Sequence, residues 1–275
     1  MSARWPIFFL LLLSYGVLFS LQESRFPESS QQLSHPLPSA IQKAALGYLR
    51  QLGGEMHFIK ASVFYGGVKP GRDPLEYAEP FAQHFSAAAT LHPYFIDTYF
   101  LCQATLPYIN KEFALQANNV LSLGMAALPD NFVLPFFIGF NHFYHLKDPS
   151  QAAIFLQQAA QYPGVPSWVG HLASTLAAEG GDIYGGLIWL KAMLAAEEDE
   201  RMRNRYQHSI AMFERAVTVQ QAIEIYKNKH NNQYPATLEA MVPEILAALP
   251  EFDPPFQLSW EPPTLRLIRE RPKSK

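Results

Sequence analysis

Two stretches of the chain place side chains able to do chemistry on one helical face. His142 and His145 stand three residues apart with Asp148 close behind, a two-histidine-plus-carboxylate set of the kind that ligates a divalent metal. Their neighbours Phe140, Phe143, Tyr144 and Leu146 point instead to histidines held by helix packing. Upstream, GGEMHFIKASVFYGG carries Glu55, His57 and Lys60. His57 and Lys60 share a face, whereas Glu55, five residues from Lys60, does not. If the chain were an envelope enzyme, its site would lie at one of these two places.

The other signals speak against a catalytic centre. No H-E-x-x-H, C-x-x-C or C-x-x-C-H pattern occurs, and neither does a G-x-S-x-G elbow or a Walker A run. Cys102, the single cysteine, sits in the apolar run around Leu101 and Ala104. It reads as a buried thiol, because a nucleophilic cysteine needs electropositive surroundings. The glycine pairs 53–54, 66–67, 180–181 and 185–186 follow no strand and read as turn or helix-contact residues. The expectation is a non-enzyme with no catalytic residue and no cofactor, His142, His145 and Asp148 being the candidates if a metal binds.

The elements that position these residues follow from composition and periodicity. The 275 residues are 49% hydrophobic and 16% charged, enough apolar material for a sizeable core. Lys+Arg 21 against Asp+Glu 24 leaves a net charge of −3, with no basic excess to neutralise phosphates, so no nucleic-acid partner is expected. One cysteine excludes an internal disulfide framework. The 22 prolines predict short elements with hard stops.

Residues 5–21 (WPIFFLLLLSYGVLFSL) carry no charge and follow Arg4. Seventeen residues is the lower limit for a bilayer core of about 30 Å. A cleaved signal peptide would want small residues at −3 and −1, and Leu18-Phe19-Ser20-Leu21 at the end of the run offers only Ser20 among bulky neighbours. An uncleaved transmembrane anchor over residues 1–22 is therefore expected, with the body on the periplasmic side of the inner membrane. Secretion to the periplasm after cleavage is the alternative. A buried helix of a folded core is a poorer fit to a run apolar on all sides. Residues 23–39, polar and holding Pro27, Pro36 and Pro38, read as a linker. The absence of an N-x-S/T sequon suits a bacterial periplasmic address.

From residue 40 the apolar positions recur at helical spacing, and helical runs close at Pro93, Pro129 and Pro163, which are 36 and 34 residues apart. Small residues stand where paired helices would cross: Gly139, Ala152 and Ala159 in residues 131–163, Gly186 in the next unit, Cys102, Ala117 and Gly124 in the one before. Over residues 94–199 this pattern resembles a degenerate tetratricopeptide repeat, with Ala78, Phe85 and Ala88 before Pro93 marking a looser first pair. The resemblance implies a mainly α protein with a solenoid of antiparallel helix pairs over 40–199; the residues themselves also admit an irregular helical bundle. A long helix over 200–230, acidic at its start and basic at its end, is expected to cap the solenoid.

In tetratricopeptide register the first helix of each pair lines a concave groove. Those positions are Tyr99 and Gln103, then Phe136, Phe140 and Phe143, then His171 and Thr175. The groove lacks the Lys/Arg pairs that hold a peptide carboxylate, so it predicts an apolar helix or extended segment as partner. Two alternatives stay open: the aromatics pack on the next helix, or the C-terminal hairpin fills the groove. Residues 231–275 are expected to form a small C-terminal helix, a β-hairpin and a basic tail, and residues 222–243 (AIEIYKNKHNNQYPATLEAMVP) resemble a short segment of type II secretion pseudopilins through Ile223, Tyr226, Tyr234, Pro235, Leu238, Met241 and Pro243. The N-terminal run lacks a prepilin cleavage site, so that likeness is local. FQLSW at 256–260 and TLRLI at 264–268 alternate apolar and polar, predicting a β-hairpin packed on the preceding helices. The tail RERPKSK is basic. The function these features predict is a membrane-anchored, periplasm-facing repeat scaffold that holds a protein partner in an envelope, secretion, pilus or surface-polymer assembly.

Overall fold

The computed structural model describes residues 12–18, 20 and 33–270. They are mainly helical and fall into two compact units, Met1–His92 and Pro93–Lys275.

The expected transmembrane helix is corrected. Residues 12–18 are helical, and most of the rest of the run 5–21 lies outside the described residues. Among the described residues no helix is long and apolar enough to cross a membrane. Among the described residues the one helix of ample length, Glu200–Lys229, is studded with Arg and Glu. No described helix therefore supports the expected single-pass anchor in the inner membrane.

In the first unit, α1 (Ser39–Leu46), α2 (Arg50–Gly66) and α3 (Ala78–Leu91) are joined by a 3-10 turn at Gly47–Leu49 and by a loop with a second 3-10 turn at Pro74–Glu76. Two consecutive glycines let both neighbours approach α2. A Cβ on Gly53 would overlap the Leu46 side chain, and one on Gly54 would stand 2.7 Å from the His92 Cβ and 3.1 Å from the Ala88 carbonyl oxygen. Phe81 and Phe85, wholly buried with rings 4.8 Å apart, form the centre with Tyr77 and Ala61. The end of the expected linker is held in place: the Ser34 carbonyl accepts from His84, and His35 meets Gln83 at 2.9 Å.

The second unit is a run of helices in which each packs on the next: α4 (Ile96–Thr105), α5 (Lys111–Ala127), α6 (Val133–Asn141), α7 (Pro149–Ala160), α8 (Ser167–Glu179), α9 (Ile183–Ala196) and α10 (Glu200–Lys229). Short connections make sequential helices antiparallel neighbours. α5 and α7 stop just before Pro129 and Pro163, the expected punctuation. Asn110, Asp148, Asp182 and Asp199 cap α5, α7, α9 and α10, each accepting from a backbone N–H three residues on. The small residues sit where helices meet. A Cβ on Gly139 would stand 2.8 Å from Leu156 Cγ and 3.2 Å from the Ala152 carbonyl, and Gly186 meets the Ser174 carbonyl at 2.8 Å in the same sense. Ala152 and Ala159 are fully buried.

After α10, Leu238–Met241 forms a 3-10 turn, and β1 (Phe256–Glu261) pairs antiparallel with β2 (Thr264–Arg269). Leu258 faces Leu267 and Trp260 faces Leu265, the expected apolar pairing. Phe256, Leu265, Leu267 and Met241 join one core with Leu190, Tyr206, Phe213 and Ile223, so the hairpin closes the α9–α10 end.

Candidate functional site

The first helices of three successive pairs, α4, α6 and α8, carry a connected line of aromatic rings. Phe100 of α4 meets Phe137 edge-on at 5.5 Å, Phe137 adjoins Phe136 at 6.3 Å, and Phe136 meets Trp168 of α8 edge-on at 5.9 Å. The two ends stay in solvent, Phe100 at 45% and Trp168 at 46% exposure, while Phe136 and Phe137 are half-buried between them. Edge-to-face contacts at such distances fix the rings relative to one another. Beside this ladder is a second aromatic group. His145 packs edge-on against Tyr108 at 4.8 Å and Tyr144 at 4.9 Å, Phe140 stacks parallel on Tyr144 at 5.5 Å, and the Lys147 ammonium lies 5.0 Å over the Tyr144 ring. Tyr108 and Tyr144 are exposed.

The expected groove residues divide. Phe136 lies in the ladder, Phe140 in the second group, and half-buried Phe143 packs against the α7–α8 core. Tyr99, Gln103 and His171 are buried in the helix packing, while Thr175, also largely buried, lines a cavity of about 300 Å³ with Phe143, Leu172 and Arg269. Tyr99 inserts over Gly124 and donates its hydroxyl to the Pro93 carbonyl at 2.7 Å. Burial pushes its phenol up to about 12. Gln103 exchanges two 2.8 Å hydrogen bonds with Asn141, whose Nδ2 also donates to Asn118 Oδ1 at 2.8 Å, a buried amide cluster that ties α4, α5 and α6 together. His171 meets Ser209 Oγ at 2.9 Å, and Thr175 donates to the His171 carbonyl. Burial first, then Arg205 and Arg269, pull His171 down to about 4. Strand β2 packs on α8, so the hairpin covers the far end of this helix face.

Sequence reasoning missed Phe100, Phe137 and Trp168. Trp168 stands one turn before His171 on the same face of α8, and that spacing was the available signal.

The metal set does not assemble. Among the described residues no group of three His, Cys, Asp or Glu side chains could hold a metal ion. Residues His142–Leu146 form a π-helical turn ending in Lys147 at φ 59°, with the Asp148 N–H bonded to the His142 carbonyl at 2.9 Å. The extra residue per turn changes the angular phase of the two histidines and sends Asp148 to cap α7. His142 stacks on Phe155 at 5.6 Å, while His145 sits among the aromatic rings. Burial lowers both histidines, with the Asp148 charge opposing it at His142 and Lys147 adding to it at His145.

The three polar residues of α2 also part company. Glu55 turns to His92 at 3.3 Å, His57 is buried against His84, and Lys60 lines a cavity beside that pair. Burial pushes the Cys102 thiol far up, which keeps it protonated and unreactive.

Fold and surface together define a protein of sequential helix pairs with an aromatic face. No family model matches the chain, and no curated protein matches it.

Proposed function

We propose that the chain is a non-enzymatic scaffold of tetratricopeptide-like helix pairs that holds a protein partner along the ladder Phe100, Phe137, Phe136 and Trp168. The observation that carries this reading is the ring-to-ring continuity across three first helices, with exposed rings at both ends. Rigid aromatics half-sunk in a framework are the residue type that dominates interface energetics. Among the described residues no Lys or Arg stands over a ladder ring in a cation–π pair, which supports an apolar partner segment rather than a captured carboxylate. The uncharged run behind Arg4 supports export of the body, with the run acting as a signal that is removed. N-terminal sequencing of protein from an envelope fraction checks that part, and an intact Met1 contradicts it.

A photo-reactive amino acid at position 168 tests the binding face. One defined protein adduct is expected in the producing cell, and none from the exposed Gln158 position on α7. Equal labelling from both positions, or none from 168, contradicts the reading.

A further inference from the structure

The first unit carries an open cleft of about 410 Å³ between the segment before α1 and the helices α1, α2 and α3. One wall is apolar, with Leu37, Leu46, Leu49, Leu52 and Met56; the other holds His35, His57, Lys60 and His84, and among the described residues no carboxylate lines it. Ligand pockets are of this size and of this mostly apolar character with a few convergent polar groups.

The hydrogen bonds at the polar wall set a proton count. Gln42 Nε2 donates to the Leu37 carbonyl at 2.6 Å, which turns Gln42 Oε1 toward His57 Nε2 at 2.6 Å. That oxygen only accepts, so His57 Nε2 carries a hydrogen. His84 Nε2 faces the Ser34 carbonyl at 2.9 Å and must carry one too. The two Nδ1 atoms lie 2.9 Å apart, and a bond between them needs a third proton. Three protons on four ring nitrogens give the buried pair one positive charge. With two protons, either two lone pairs oppose each other or an outer bond is lost.

The surroundings resist that charge. Burial pulls His57 down to about 4, with His84 and then Lys60 adding to the effect. Burial also lowers His84, against the Ser34 carbonyl and together with Lys60 and His35. The titratable groups facing the pair are Lys60 from α2 and His35 from the preceding segment, while α1 contributes the neutral Gln42 to the wall. Lys60 has no carboxylate partner among the described residues. A negative charge in the cleft supplies what is missing.

We infer that this cleft binds the anionic head of a single-chain amphiphile, pairing it with Lys60 and laying its chain on the leucine wall, and that the His57–His84 pair takes up one proton as it binds. Proton uptake and anion binding are then linked reciprocally.

Decane-1-sulfonate, whose charge is fixed, and decan-1-ol, with the same chain, are the probes for calorimetry on the full chain at pH 6.5. The sulfonate should bind at least about tenfold more tightly than the alcohol. Titration in two buffers of different ionisation enthalpy should show uptake of about one proton per sulfonate. Lys60→Met, at an exposed position, should remove most of the sulfonate preference and leave the alcohol unaffected. His84→Gln should abolish proton uptake, and a thermal melt identifies a variant that has merely unfolded. Equal binding of the two probes overturns the inference, as does sulfonate binding without proton uptake in the unaltered chain. Binding to phosphatidylglycerol vesicles without binding of the monomeric sulfonate overturns it as well.

Discussion

Gln103 and Asn141 satisfy each other inside the α4–α6 core, where neither can turn to water. Gln103→Ala leaves Asn141 Oδ1 without its donor, while Nδ2 keeps its bond to Asn118. Leaving a buried polar group unsatisfied costs about 1–3 kcal/mol, so a denaturant melt of this variant should shift by that amount with an unchanged slope. His57 and His171, both held near 4 in the folded chain, set a second expectation. Unfolded histidines titrate near 6.5, so between about pH 4 and 6.5 the unfolded chain binds more protons. Their contribution is therefore fully present above about 6.5 and is lost as pH falls through that window. Melting temperature should rise from pH 4.5 to pH 7, and His171→Gln should flatten the rise; a pH-independent melt contradicts the burial of these rings.

At the scale of elements, the α6–α7 crossing rests on Gly139 and Ala152, which admit Leu156 at close range. Ala152→Leu should overpack it by about 1–3 kcal/mol, read as a lowered thermal melt. A neutral result would mean that the helices do not meet there. Asp148→Ala, which removes the α7 cap, should cost about 1 kcal/mol. These features were legible in the sequence because they are local: a proline ends a run, a small residue marks a crossing, alternation marks a strand. The π turn at His142–Leu146 was not legible, since one added residue per turn is set by how α6 docks and leaves no periodic trace. Asp148, a candidate ligand only if a metal binds, caps α7 instead.

For the molecule as a whole, the unit Pro93–Lys275 carries its own core, from Leu106 and Leu121 through Leu156 to Phe213 and Leu267. The fragment 93–275 should fold by itself, with a single cooperative transition and helical circular dichroism; a non-cooperative melt contradicts an independent unit. The succession of helices, the long α10 and the closing hairpin could be read from periodicity. Which rings face solvent could not, because exposure depends on partners distant in sequence. Tyr99 is buried because Gly124 leaves room for it on α5, and Gln103 because its amide partner lies on α6. Phe100, one residue after Tyr99, points to solvent for the same geometric reason.

The ladder is tested most directly by measuring partner capture and stability on one variant, Phe100→Ala with Trp168→Ala. Both rings are at least 45% exposed. Their removal should leave the melt within about 0.5 kcal/mol, as for other surface changes. Losing an interface anchor costs about 2 kcal/mol or more, so affinity for the protein cross-linked at position 168 should fall at least about thirtyfold. Undiminished capture with an unchanged melt would contradict the ladder as a binding face, and a collapsed melt would show that these rings belong to the core.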